Sequence, residues 1–345
     1  MAIEMQMHLA SRRILIVGCG FAGATIARIL AEKNFLIDII DSRDHIAGNA
    51  FDYVDDNGFR IHKYGPHLFH TNNKKVFDWL SRFTNWIEYK HQVKALLDDG
   101  SFITLPPNKD SVSRLGLEGV KEKLIRPYTQ KMWGLDIENI DPSIINRIQI
   151  RNDYNSFYFP NDKYQCIPSD GYSRLIANML NHQNIHISLN TSFEKSQEKD
   201  YYHVFTSMAI DEYFEFCLGH LPYRSLKFTT ISFPAPRIFP TAVTNFTHSG
   251  PNTRVTEWNH LPNHGWRSDM TVLTYEEPCD YQENNLERYY PINDVAGKNQ
   301  KLYKDYSGLT PKNITFIGRC GQYKYLNMDQ VVASSRSYAE QFCSR

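Results

Sequence analysis

The sequence predicts an α/β protein: a Rossmann-like nucleotide-binding domain carrying a helical insertion domain and a β-rich substrate domain. Three observations predict it. A strand runs into a glycine-rich turn and a helix near the start, a second strand and helix close the chain, and proline-broken strand patterns fill residues 229–274. Arg13–Val17 (RILIV) is the continuous apolar run of a parallel strand buried on both faces. It leads into Gly18-Cys19-Gly20-Phe21-Ala22-Gly23, after which residues 24–32 place Ile26, Ile29 and Leu30 on one helical face. A second apolar run, residues 35–40, ends at Asp41, 23 positions after Gly18.

Each part of this unit has a physical task. Gly18 allows the tight turn, Gly20 lets a pyrophosphate approach the backbone, and Gly23 lets helix and strand pack closely. The helix N-terminus presents N–H groups to phosphates, and Asp41 can accept from ribose hydroxyls. The complete order of strand, turn, helix, strand and acid predicts a dinucleotide site; a purely structural glycine turn is the alternative. Beyond Asp41, residues Ser42 and Arg43 lead to a second small-residue turn at Gly48 and Asn49. Two turns near the same phosphates suit the two-headed FAD better than NAD. Residues 313–319 form a strand ending in Gly318-Arg319, and a helix starts near Met328 and Gln330. Its N-terminus would stabilise negative charge on a reduced flavin, unless it is simply the last helix of the fold.

Between these ends, residues 115–133 read as helical, with Leu117, Val120, Leu124 and Ile125 at helical spacing, and residues 173–180 as another helix. The nucleotide-binding domain is expected from residues 10–75, 195–225 and 305–345. The insertion is expected from 108–160, and the covering region from 76–107, 161–194 and 226–304.

Composition excludes other classes. Among 345 residues, 38 basic and 38 acidic side chains cancel, which argues against nucleic acid held by bulk charge. With 41% apolar and 22% charged residues, the chain can build a core, and disorder is excluded as its main state. No apolar run approaches the roughly 18–20 residues of a membrane span. Six scattered cysteines with no C-x-x-C pair suggest neither zinc nor disulfides, so a reducing, cytoplasmic compartment is expected. His62, His67 and His70 cluster without an adjacent acid or cysteine, so no metal is expected. The surplus of 21 Tyr suits a polar or phosphorylated ligand, although packing explains it equally well.

Several separated stretches carry a family resemblance. They are IHKYGPHLFHT (61–71), YTQKMWG (128–134), IINRI (144–148), YQCIP (164–168), YRSLKF (223–228), YYPIND (289–294), and Gly318-Arg319 with YKY (323–325). In this order they resemble the prokaryotic UDP-galactopyranose mutases along nearly the whole chain. The resemblance implies an isomerase containing FAD that interconverts six- and five-membered ring forms of a nucleotide-diphosphate sugar. It implies a flavin kept reduced by an external reductant, whose N5 attacks the anomeric carbon and expels the diphosphate. The covalent sugar then opens, recloses through another hydroxyl and is displaced by the returning diphosphate.

By the same resemblance Arg147 and Arg254 clamp the diphosphate, Arg147 from a mobile loop; the residues alone favour a snorkelling or salt-bridged surface arginine for each. Tyr158, Tyr290 and Tyr325 match hydroxyl donors to the diphosphate, Tyr128 the residue stacking on uracil, and Trp133 a wall of the sugar pocket. Unaided, periodicity reads most of these as core aromatics, and it does not separate Tyr289 from Tyr290. His67 is expected beside the flavin N5, with His62 the weaker candidate, and Arg319 at the cofactor.

Five departures stand out. Pro66 stands where the family has an alanine before His67 and is expected to stiffen that loop, since proline fixes φ and restricts Gly65. Ala47 takes the place of a glycine, a change the cofactor pocket is expected to absorb. Ser207-Met208-Ala209 stands for Thr-Gly-Pro, Asn327 replaces an aspartate near the sugar pocket, and insertion helices between Pro107 and Tyr128 are missing. With those helices gone, the homo-oligomeric state is open, and so is the sugar: UDP-arabinopyranose, UDP-N-acetylgalactosamine, a deoxy-sugar or a heptose compete with UDP-galactopyranose. A redox flavoenzyme of the amine-oxidase type and a non-catalytic nucleotide-sugar binder are the readings from other classes.

Overall fold

Burial organises the first sheet. In Arg13–Val17 the side chains of Ile14, Leu15 and Ile16 are all fully buried, so this strand has no solvent face. Alternation sends Ile14 and Ile16 to one side and Leu15 to the other. The first two pack with Ile26 and Leu30 of the helix Phe21–Ala31, with the helix Tyr172–Leu180 and with the C-terminal helix Met328–Cys343. Leu15 meets Val204, Ile210, Tyr306 and Ile314 on the opposite side. Each such side chain contributes roughly 1.5–3 kcal/mol on leaving water, which favours a sheet covered on both faces. The computed structural model, which describes residues 13–139 and 150–344, shows that sheet. Its five parallel strands lie in the order Ile185–Ser188, Leu36–Ile40, Arg13–Val17, His203–Thr206 and Ile314–Phe316. Val17 pairs with both Ile40 and Thr206, so Gly18, Asp41 and Ser207 emerge together at the carboxyl edge.

The sheet draws in segments that the sequence assigns elsewhere. Ile185–Ser188, expected in the covering region, is an edge strand here, with Ile185 and Ile187 opposite Ile37 and Ile39. The helix Lys74–Leu80, expected in the covering region from residue 76 on, buries Val76, Trp79 and Leu80 in the same core. Its N-cap Asn73 accepts from the Lys75 and Val76 N–H groups.

The second sheet has seven strands: Tyr290–Pro291, Tyr223–Phe233, Thr271–Asp280, Arg254–Glu257, Val243–Phe246, Val93–Leu96 and Phe102–Leu105. Of the short strands expected over 229–274, Val243–Phe246 and Arg254–Glu257 are four residues each, but the strands at the two ends of that range are long. Tyr223–Phe233 is eleven residues long and pairs with Thr271–Asp280 through ten consecutive partners. Pro234, Pro236 and Pro240 follow the first strand rather than interrupt it, and Pro278 lies past the Leu273–Glu276 stretch that pairs with Arg254–Glu257.

The helical insertion differs from its expected outline too. A helix spans Lys109–Val120, begun by Asn108, whose side chain accepts the Ser111 N–H at 3.1 Å. Gly116 breaks it with φ +70°, a conformation that a side chain disfavours. A π-turn, Lys121–Ile125, then joins the helix Arg126–Trp133, which ends on left-handed Gly134. Val120, Leu124 and Ile125 pack on Ala95 and Ile103, fixing the insertion to the second sheet.

Candidate active site

Two glycines of the first turn are forced by protein packing. A side chain at Gly18, where φ is +103°, would put Cβ 1.9 Å from Ser207 Oγ, and one at Gly23 would put it 2.0 Å from the Gly18 carbonyl. Gly20 differs. A Cβ there would meet nothing closer than Gly48 Cα at 3.6 Å, an ordinary contact. Protein packing therefore does not demand glycine at 20; its bare Cα borders a cavity of about 460 Å³, where a Cβ would stand in the way of a ligand. Gly20 is also the N-cap of the helix Phe21–Ala31, with no side-chain cap, so the first-turn N–H groups face that space. This cradle fits a dinucleotide.

Gly18, Gly20, Phe21, Gly23, Asp41, Ser42, Arg43, Gly48, Asn49, Arg319 and Met328 all line this cavity. Asp41 is partly spent on the loop itself: its carboxylate accepts the Cys19 N–H at 2.7 Å and the Arg43 N–H at 3.0 Å. Arg43 donates to Asn49 Oδ1 at 2.9 Å and to Glu287 at 2.6 Å. Ala47 is not the neutral change expected, because its φ of +72° lies in the left-handed region.

Two expected cofactor residues line neither this cavity nor the next. His62 is fully buried beneath the Gly65-Pro66-His67 loop and accepts the His67 backbone N–H at 3.0 Å. Gln330 caps the C-terminal helix, its Oε1 accepting the Asn327 N–H at 2.9 Å. Helix architecture uses its amide.

A second cavity of about 540 Å³ adjoins the first, and the two share His67, Tyr289, Arg319 and Met328. Tyr128, Trp133, Tyr158, Arg254, Tyr290, Tyr325 and Asn327 line it. The π-turn contributes Leu124 and Ile125 to its lining, and Leu105, Pro106 and Val243 line it as well. Arg147 lies outside the described residues.

Arg254 opens its strand and is held from two sides. Its Nε lies 3.0 Å from Glu276 Oε2, and its Nη2 donates to the Tyr128 hydroxyl at 3.1 Å. Burial disfavours the guanidinium charge, but Glu276 and the surrounding tyrosines outweigh that and hold its pKa well above the ordinary value. Burial pushes Tyr128 up to about 12 and Tyr290 well above the usual tyrosine range, so both remain protonated donors at neutral pH. Lys131 steadies the approach to this strand: its Nζ donates to the carbonyls of His248 and Asn252, and burial lowers its pKa to about 8.

The geometry separates the adjacent tyrosines. Tyr289 donates its hydroxyl to the Tyr64 carbonyl at 2.5 Å, whereas the Tyr290 ring stacks on Tyr325 at 5.0 Å inside an aromatic group with Trp133. Arg319 sits over the Tyr290 and Tyr325 rings at 5.0 and 5.1 Å and donates to the Leu326 carbonyl at 2.6 Å. His67 donates Nδ1–H to the Gly65 carbonyl at 2.9 Å, and burial lowers its pKa to about 4. The ring is neutral at physiological pH.

Sequence reasoning missed Glu276, a buried carboxylate on a strand whose residues 271–274 are all buried. A charge inside such a run is itself a signal. A Cβ at Gly65 would lie 2.9 Å from Glu276 Oε1, so glycine there makes room for the counter-ion of Arg254. Glu287 and Arg288 were missed as well. They pair with Arg43 and Glu212, tying one segment across the first cavity.

Comparison with known proteins agrees with this geometry. The sequence family described as UDP-galactopyranose mutase matches residues 123–325, and the NAD(P)-binding Rossmann-like domain family matches residues 16–83. The chain is 32% identical to the probable UDP-galactopyranose mutase of Klebsiella pneumoniae, over 97% of this chain and 95% of that one. That alignment of 373 positions exceeds the 345 residues here, so the relative carries segments this chain lacks. It is 31% identical to the dTDP-fucopyranose mutase of Escherichia coli, over 95% of this chain and 97% of that one. Among solved structures, reduced UDP-galactopyranose mutase shares the fold with a TM-score of 0.72 at 16% identity, covering 96% of this chain and 94% of that chain.

Proposed function

The chain belongs to the UDP-galactopyranose mutase family, and we propose that it interconverts the pyranose and furanose forms of a nucleotide-diphosphate sugar, UDP-galactopyranose or a close relative. One observation carries this reading: a dinucleotide cradle and an arginine-tyrosine cavity open on each other at His67, Tyr289, Arg319 and Met328. A redox enzyme acting on an amine has no use for a guanidinium ringed by tyrosine hydroxyls, whereas a diphosphate leaving group does.

The cradle residues would hold FAD, which in its reduced state supplies a nucleophilic N5 for the anomeric carbon. The chain's own residues do the rest. Arg254 binds the diphosphate and stabilises the charge that grows on it as the glycosidic bond breaks, while Glu276 fixes the guanidinium in place. Tyr158, Tyr290 and Tyr325 donate hydroxyls to the same oxygens, and Arg147 is the proposed second clamp. Tyr128 and the apolar wall of Leu124 and Ile125 take the base. The aromatic group around Trp133 keeps water from the opened sugar, and neutral His67 offers Nε2 as an acceptor at the junction.

A second substrate, a dTDP-linked 6-deoxy sugar, is favoured by the similarity to the dTDP-fucopyranose mutase. Incubating dithionite-reduced protein with a panel of UDP- and dTDP-sugars and following products by NMR tests both. Furanose product only under reducing conditions is expected. A flavin-loaded, reduced sample that converts no nucleotide sugar would defeat the proposal.

A further inference from the structure

His62 and His264 come from distant parts of the chain, are 0% and 1% exposed, and meet Nε2 to Nε2 at 2.9 Å. Neighbouring contacts fix where every proton sits. The His67 backbone N–H points at His62 Nδ1 from 3.0 Å, so that nitrogen must be the acceptor. His62 therefore carries its proton on Nε2 and donates it to His264 Nε2. His264 must then be protonated on Nδ1, which lies 2.7 Å from the Pro262 carbonyl and donates to it. The relay runs one way, from the His67 N–H through two neutral imidazoles to a carbonyl. Burial holds His264 at about 4 and His62 well below its ordinary value, consistent with two neutral rings.

The surroundings leave the pair little freedom. Trp258 stacks nearly parallel to His264 and packs on His62, and Tyr172 meets the His62 ring edge-on. The His264 carbonyl accepts the Arg60 N–H at 3.0 Å. A proton added to either imidazole would need His62 to donate from Nδ1, against the His67 N–H. The loop over this relay, Gly65-Pro66-His67, reaches the place where the two cavities join.

We propose that His264 is a positioning residue for the reaction: acting through His62, it fixes the His67 backbone and so the height and angle of the loop against the cofactor. Neither ring lines either cavity, so the effect reaches the site through the hydrogen bond that His62 accepts from the His67 N–H. The proposal rests on the mutase reading for its activity readout but not for its chemistry.

The test uses FAD-loaded protein with His264→Leu and His264→Gln. Leucine leaves the His62 Nε2–H buried without an acceptor, whereas the glutamine oxygen can replace it. For His264→Leu, kcat is expected to fall about 10- to 100-fold, with KM nearly unchanged and the bound-flavin spectrum and midpoint potential shifted. His264→Gln should recover most of each. A leucine variant that loses thermal stability but keeps wild-type kcat, spectrum and potential would reduce the pair to core packing, as would a glutamine variant no better than leucine. Long-range 1H–15N spectra of histidine-labelled wild type judge the relay without substrate and without either variant folding. They should show Nε2–H for His62 and Nδ1–H for His264; a proton on His62 Nδ1 overturns it. Wild-type protein lacking flavin or mutase activity would instead count against the proposed function, leaving the tautomers to decide this point.

Discussion

The dinucleotide cradle and the substrate cavity share four residues, yet they are built on opposite principles. The cradle is mostly backbone: two glycines forced by sterics, a third kept bare toward the cavity, and a helix N-terminus without a side-chain cap. The cavity is mostly side chain, drawn from the insertion helices, from five strands of the second sheet and from the segment before the C-terminal helix. Backbone sites tolerate little change in shape, whereas side-chain sites tolerate new shapes and lose particular charges. Disturbing the two regions should therefore fail in different ways.

The largest effect is expected from Gly23→Val. With even a Cβ only 2.0 Å from the Gly18 carbonyl, the turn must deform, costing about 3 kcal/mol or more; flavin absorbance in purified protein, relative to protein, should collapse. Arg254→Ala sharpens the contrast from the other side. Turnover should drop about 10²- to 10³-fold while flavin content stays at the wild-type level; near-normal turnover, or lost flavin, would remove the distinction between the regions.

Acid should strike the substrate side through its buried histidines. Burial lowers His67 to about 4 and His91 to about 3, both lining the substrate cavity. Their folded pKa values lie below the unfolded value near 6.5, so the unfolded chain binds the extra protons as pH falls. Stability from this source is complete above pH about 6.5 and declines until pH reaches about 4 for His67 and about 3 for His91. A single such histidine is worth on the order of 2 kcal/mol between pH 6.5 and 5. Denaturant melts across that range check the slope, and a flat profile would show the rings to be solvated. The smallest effect belongs to the cradle. Ala47→Gly relieves a left-handed alanine and should raise stability by up to about 1 kcal/mol, readable as a higher denaturation midpoint with unchanged flavin content.

This contrast also explains what the sequence disclosed. Gly18, Gly23 and Asp41 were legible because strand, turn and acid occur within one short stretch, where local sterics act. The C-terminal helix was legible down to its first residue, Met328, but Gln330 serves its cap rather than the cofactor. Ile185–Ser188 was misplaced because an apolar strand does not state which sheet it joins. The insertion was read as one helix from 115, since the period survives across Gly116 while the Asn108 cap and the π-turn leave no periodic mark. Glu276 and His264 needed three dimensions. Each matters through a partner from a distant segment, Arg254 in one case and His62 in the other.

The nucleotide-binding sheet has a temporal consequence. Its middle strand, Arg13–Val17, pairs with His203–Thr206, which pairs in turn with Ile314–Phe316, and Phe35 meets Phe342 ring to ring at 5.6 Å. During synthesis at about 5–20 residues per second, the first apolar strand must wait roughly 15–60 s for those last partners. Throughout that interval a RILIV segment covered only in part, by Leu36–Ile40 and the helix Phe21–Ala31, is available to other nascent chains. Yield in a cell should thus depend on how well chaperones shield the opening of this polypeptide, even when the finished enzyme is stable.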